Sequence, residues 1–188
     1  MAMEPACRIF SNGALIMKPD TVSALLIWAS VVVFAVHNIE ETFGIEDWMA
    51  EKFRPAIAAR YRKKPFIVAC SLLWVAYAIV AALAVQSGNA TVIQVFGVAF
   101  AAIVANGLFH VLAAPVLGRT PPGFWSAVIL VLPLGGLLAW RVITTGRLTL
   151  QQALVTFLIG AVLQIPLAAG AIYIADFLFD LKKRSSRK

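Results

Sequence analysis

Apolar residues run for about twenty positions at a time along this chain, and the polar ones gather between the runs. Five such runs cover residues 22–41, 66–86, 91–112, 123–140 and 150–177. Each is long enough to cross a bilayer core as a helix, which takes about 20 residues. Their ends carry turn chemistry: Gln86-Ser87-Gly88-Asn89 makes a tight turn, Arg119-Thr120-Pro121-Pro122-Gly123 cannot continue a helix, and Thr144-Thr145-Gly146-Arg147 closes the fourth run. The last run is overlong and contains Pro166, which predicts tilt or a kink. Between the first two runs, Trp48, Met49, Phe53, Ile57 and Tyr61 recur at helical spacing among charged residues. That pattern predicts a short interfacial helix over 46–62 with a break near Pro55, or equally a connecting helix packed on the bundle. The fold class is therefore all-α, a polytopic membrane helix bundle with five transmembrane helices and a short interfacial helix.

Composition agrees with this reading and excludes a soluble domain. Of 188 residues, 61% are hydrophobic and 13% charged, and mean hydropathy is +0.88; soluble chains sit near 45–50% apolar and about 25% charged. No Asp, Glu, Lys or Arg occurs between Lys64 and Arg119, a stretch that needs two crossings. Residues 1–20 lack the basic start and small-residue cleavage site of a secretory signal, so the first helix reads as retained. Cys7 and Cys70 are far apart and form neither a CxxC pair nor a disulfide framework.

The net charge of +7 does not point to nucleic acid, because the basic residues cluster beside apolar runs rather than on a soluble face. They read as topology signals and as contacts to anionic lipid headgroups. With the N-terminus outside, twelve Lys and Arg lie on the inner side and four, Arg8, Lys18, Arg141 and Arg147, on the outer. The positive-inside rule then predicts an inner-membrane protein with an outer segment 1–20 and a membrane domain 21–181 that includes a basic inner loop 44–64. A basic cytoplasmic tail follows at 182–188.

In that orientation the first, third and fifth spans run the same way, and their inner ends share one depth. His37, Glu40 and Glu41 end the first span, Asn106 and His110 lie late in the third, and Tyr173 and Asp176 lie late in the fifth. Depth matters energetically. The ten Leu, Ile, Val and Phe residues of the first span contribute about −3 to −6 kcal/mol to insertion, whereas one acid at mid-helix costs about 2.5–3.5 kcal/mol. Two unpaired carboxylates at the centre would cancel the gain. At the membrane edge, paired with histidine, or on a cation they are tolerable, and intramembrane ionisable groups are for that reason candidate functional residues.

Residues three and four apart share a helix face, so His37 neighbours both Glu40 and Glu41, and Asn106 neighbours His110. His-x-x-Glu can chelate one metal, as the reversed Glu-x-x-His does in helical bundles. His37, Glu40 and His110 would make a three-ligand site for a divalent metal such as zinc, with an open position. Glu41 would then be the base, and Asn106 a further catalytic group. Without a metal, the same groups form an acid/base relay. Either arrangement suits an enzyme acting on a lipophilic small molecule at the inner leaflet. The alternatives are a non-enzymatic carrier that relays protons or a cation through the same residues, and an accessory subunit recruited by its basic loop and tail. The bland reading has an equal claim: helix-end acids paired with the basic loop, and packed, hydrogen-bonded histidines. For Asp176, capping or pairing with the basic tail is the simpler account. Gln164 and Tyr77 read as helix-to-helix hydrogen bonds, and Gly135-Gly136 and Gly160 with Gly170 as close packing.

The string His37-Asn38-Ile39-Glu40-Glu41 at the end of a first span resembles the signature of the HXXEE-domain family of integral membrane proteins. Asn106 to His110, and the Pro122-Gly123 turn leading into Phe124-Trp125-Ser126-Ala127, are similar to that family as well, so that the resemblance extends over about residues 29–139. The family's Pro-Gly segment is expected to carry an aromatic residue near the position held here by Thr120 or Pro121. The resemblance implies no established activity, and by matching positions it singles out His37, Glu40 and Glu41.

Overall fold

The computed structural model describes residues 9–11, 14–16 and 19–185, with side chains over 19–179. Cys7 and the side chains of the basic tail 182–188 lie outside the described residues. Seven helices follow a three-residue antiparallel ribbon, Ile9–Ser11 with Ala14–Ile16. They are α1 (Thr21–Thr42), α2 (Ile45–Lys52), α3 (Pro55–Ala58), α4 (Lys63–Ser87), α5 (Ala90–Leu117), α6 (Phe124–Thr144) and α7 (Leu150–Ser185). Five of these, α1, α4, α5, α6 and α7, are long and apolar enough to cross a membrane.

Local chemistry fixes their ends. Asp20 caps α1 by accepting from the Ser23 amide at 2.9 Å, and Asn89 caps α5 by accepting from the amides of Thr91 and Val92. Gly88 and Gly118 end α4 and α5 in the left-handed region, with φ of 63° and 65°. Inside α6, Ala127–Val131 forms a π turn just upstream of Pro133. A proline ring clashes with the carbonyl four residues back in a regular helix, and a wider turn accommodates it. α7 continues through Pro166 without interruption.

The bundle core lies among α1, α4, α5 and α6, around Ile27, Phe34, Tyr77, Phe100 and Val131. Polar clips cross it where a hydrocarbon interior makes lone polar groups costly. Ser30 Oγ lies 2.5 Å from Tyr77 Oη, and Trp74 Nε1 donates to the Val31 carbonyl at 2.9 Å. α7 packs on α4 through the small residues Ala69, Ala171 and Ala175, and on α5 at Gly160. Outward faces carry exposed Leu, Ile and Val in every crossing helix, as a lipid-facing surface would.

Contact order shows direction. His37 meets Asn106 and Glu41 meets His110, while Gly97 faces Thr156 and Asn106 meets Gln164, so α1, α5 and α7 run parallel. Ion pairs sort to the two ends. Asp20 binds Arg141 at 3.0 Å and Arg147 at 3.4 Å at one end; Arg62 with Asp176, and Arg119 with Glu51, mark the other.

The loop after α1 is two short helices rather than one. The break falls at Phe53-Arg54, just before the helix-initiating Pro55. α2 buries Ile45, Trp48 and Met49 against Phe66 and Cys70 of α4, so this segment packs on the bundle, while Ile57 of α3 stays exposed.

Candidate metal centre

His37 is the hub of the cluster and is 0% exposed. Its Nδ1 lies 2.9 Å from Ser126 Oγ, and Ser126 Oγ donates its own hydrogen to the Gly123 carbonyl at 3.2 Å. With that hydrogen on Gly123 the hydroxyl accepts from His37, the arrangement in which the imidazole proton is on Nδ1 and Nε2 keeps a bare lone pair. That lone pair faces Glu41 Oε1 at 3.2 Å. From the opposite side, His110 Nε2 lies 2.6 Å from the same oxygen. The two imidazole rings stand edge to face, 5.2 Å apart. Nδ1 of His110 is buried with no hydrogen-bond partner among the described residues.

Asn106, one turn before His110 on α5, completes the group. Its Nδ2 lies 3.0 Å from His37 Nε2, 3.1 Å from Glu41 Oε1 and 3.2 Å from His110 Nε2. Gln164 of α7 holds the other end of this carboxamide, donating from Nε2 to Asn106 Oδ1 at 2.8 Å.

Glu40 and Glu41 both neighbour His37 on the helix, and the neighbouring elements separate their roles. Glu41 turns towards α5 and its histidine. Glu40, the metal ligand expected from the His-x-x-Glu spacing, turns instead to the start of α6, where it accepts from the amides of Trp125 at 3.1 Å and Ser126 at 2.6 Å. A helix N-terminus offers unpaired N–H groups and a positive dipole end, so a carboxylate is well placed there. Glu41, expected as the base, is the carboxylate that meets both histidines. Gly123 closes the cluster from above, with φ of 88°. A Cβ there would stand 2.8 Å from Glu41 Cγ and 2.9 Å from His37 Cε1, so no side chain fits.

The remaining candidates separate clearly. Asp176 pairs with Arg62 at 3.2 Å, and the Arg60 guanidinium lies 4.6 Å above the Tyr173 ring, both away from the cluster. Gln164 makes the helix-to-helix hydrogen bond read from the sequence, here to Asn106 of the cluster, and Ser126 is the site residue that motif reasoning undervalued. Each is the one clearly polar side chain in a long apolar stretch, Ser126 between Gly123 and Arg141 and Gln164 between Thr156 and Tyr173, and that isolation was the available signal.

His37, Glu41 and His110 could hold a metal ion, since one donor atom from each lies within 4.8 Å of the others. Two imidazoles and a carboxylate are a zinc-type donor set. Ligands of a tetrahedral zinc, each about 2.0–2.1 Å from the ion, lie about 3.4 Å apart. The His37–Glu41 separation of 3.2 Å already fits, and the His110–Glu41 contact of 2.6 Å must open slightly. Beside the cluster, an apolar groove of about 410 Å³ runs between α1 and α6, lined by Val36, Ile39, Phe43, Trp125 and Ile129. Glu40 and Ser126 also line it.

Comparison with curated proteins and with solved structures finds no match. Residues 28–138 match the family described as proteins of unknown function with an HXXEE motif. That stretch takes in α1 from Trp28 onward and the first two-thirds of α6, with His37, Glu40, Glu41, Asn106, His110, Gly123 and Ser126 inside it. The chain therefore belongs to the HXXEE family, with five helices long and apolar enough to cross a membrane and a motif that contributes His37 and Glu41 to a buried histidine–carboxylate–histidine group.

Proposed function

We propose that this protein is a membrane-embedded metal-assisted enzyme acting on a lipophilic small molecule. The ion, zinc by the chemistry of the donors, is held by His37 Nε2, Glu41 Oε1 and His110 Nε2. The observation that carries this reading is the convergence of those three atoms within 4.8 Å in a buried setting. A divalent metal so held supplies Lewis acidity and a water activated near neutral pH. Ser126 keeps the His37 lone pair turned inwards, and Glu40 anchors the α6 terminus that carries Ser126. The groove between α1 and α6 supports lateral entry from the lipid, because its walls are apolar and Ser126, which lines it, contacts His37. The excess of Lys and Arg beside this end of the bundle supports an inner membrane setting with the site towards the cytoplasm and the N-terminus outside.

A metal-free acid/base relay is the second reading, favoured by the 2.6 Å contact between His110 Nε2 and Glu41 Oε1, which is a hydrogen bond as it stands. Elemental analysis of detergent-purified protein separates the two. Stoichiometric zinc is expected in the natural chain and in Glu40→Gln, and is expected to be lost in Glu41→Gln and in the His37→Ala/His110→Ala double variant. Metal-free natural protein, even after incubation with zinc, would overturn the metal reading and leave the relay.

A further inference from the structure

The Asn106 amino group has more neighbours than hydrogens. Nδ2 lies 3.0, 3.1 and 3.2 Å from His37 Nε2, Glu41 Oε1 and His110 Nε2, yet a carboxamide nitrogen carries two hydrogens. These three separations are close to the edge length of a tetrahedral zinc site, about 3.4 Å. Nδ2 thus lies at nearly equal distance from all three donor atoms, where a fourth ligand of an ion held among them would stand. A nitrogen that carries hydrogens cannot ligate a cation from there. The carboxamide oxygen can, and a half-turn about the terminal side-chain bond exchanges the two atoms with little change of shape.

What stands behind Asn106 decides whether that exchange is tolerated. Gln164 Nε2 now donates to Asn106 Oδ1 at 2.8 Å. A second carboxamide is one of the few neutral partners that can serve either orientation, since it too offers a donor at one atom and an acceptor at the other. Gln164 reaches this place because Gly160, one turn earlier, lets α7 approach closely; a Cβ there would meet Ala102 N and Val98 O of α5 at 2.7 Å.

Resting on the metal reading above, we propose that Asn106 Oδ1 is a fourth, displaceable ligand of the ion, and that Gln164 is the positioning residue that permits it, the two carboxamides turning together. With Oδ1 inward the coordination shell is closed, and Gln164 Oε1 accepts from Asn106 Nδ2. With Nδ2 inward the fourth position is open to an incoming oxygen, and the amide N–H groups face it. Gln164 lies in α7, beyond residues 28–138 that match the family.

The test is a double-mutant cycle of Co²⁺ binding to the full-length detergent-solubilised protein, read by competition with a chromophoric chelator and by the cobalt ligand-field absorption. Gln164→Met is expected to weaken Co²⁺ binding about tenfold or more, the usual effect of losing a group that orients a ligand. Asn106→Asp keeps an oxygen towards the ion whatever stands at 164. In that background Gln164→Met is expected to change affinity by no more than about twofold. Gln164→Glu, which accepts from Asn106 Nδ2, is expected to bind at least as tightly as the natural chain and serves if the methionine variant does not fold. Equal losses in both backgrounds, no loss from Gln164→Met, or weaker binding by Gln164→Glu would each overturn the proposal while leaving the three-ligand site standing. Co²⁺ binding that survives His37→Ala/His110→Ala would overturn the metal reading, and this inference with it.

Discussion

Two carboxylates adjacent in sequence have opposite duties here, and the difference lies in what each oxygen accepts. Glu41 Oε1 sits between two imidazoles and an amide, whereas both oxygens of Glu40 are taken by backbone N–H groups of α6. Glu40→Ala leaves those two amides without their acceptor, and each such loss costs about 1–3 kcal/mol when the group is shielded from water. The variant is therefore expected to unfold at lower denaturant in detergent, with a deficit of that order. A curve unchanged from the natural chain would remove the capping role. His-x-x-Glu-Glu made His37 and its acidic neighbours legible from the sequence. It did not reveal which acid meets His110, because both lie within one turn of His37 and the choice is made by the start of α6, about eighty-five residues away. His37's tautomer was equally hidden, since it depends on the Ser126 hydroxyl of another helix.

At the scale of elements, close packing of α5 and α7 depends on one missing methyl group. A Cβ at Gly160 would stand 2.7 Å from backbone atoms of α5, which cannot yield as a flexible side chain would, while at Gly170 it would meet nothing within 4 Å. Gly160→Ala is expected to lower the thermal midpoint in detergent, by the equivalent of about 1–3 kcal/mol, and Gly170→Ala to leave it in place or raise it. Equal effects at both positions would contradict the packing described. Sequence read the two glycines, and the Gly135-Gly136 pair, as one kind of surface. The structure divides them: Gly135 lies against Val104, and Gly136 faces open space. The helices themselves were legible because a crossing is set by apolar length, and the run 22–41 became Thr21–Thr42, one residue longer at each end. The inner loop was less so. Its break near Pro55 was read from the sequence and is observed, but the choice between an interfacial and a packed segment was left open, because burial of Trp48 and Met49 against α4 depends on tertiary neighbours that periodicity does not report.

For the whole molecule, charge is held at the two ends and almost excluded between them. At the end away from the cluster, Asp20 caps α1 and pairs with Arg141 and Arg147. Burial pushes its carboxyl up, but the Ser23 amide and hydroxyl and the Arg141 guanidinium outweigh this and hold it at about 2, against an ordinary 3.8. A lowered carboxyl favours the folded state above the ordinary value, and the gain fades as pH falls through the folded one. Asp20→Asn is expected to melt lower than the natural chain at pH 6, with the gap narrowing from about pH 4 and closing near pH 2. A gap independent of pH would exclude the ionised cap.

The α6 cap on Glu40 also has a consequence for biosynthesis. Trp125 and Ser126 follow Glu40 by 85 and 86 residues. At about 5–20 residues per second the ribosome delivers them roughly 4–17 s after the acid. Through that interval Glu40 has to find water or a proton, which holds the end of α1 near the headgroup layer, whereas Glu41 meets Asn106 and His110 earlier, 65 and 69 residues on. The start of α6 is thus a late latch: the backbone groups that close on Glu40 are made only once the fourth apolar run begins.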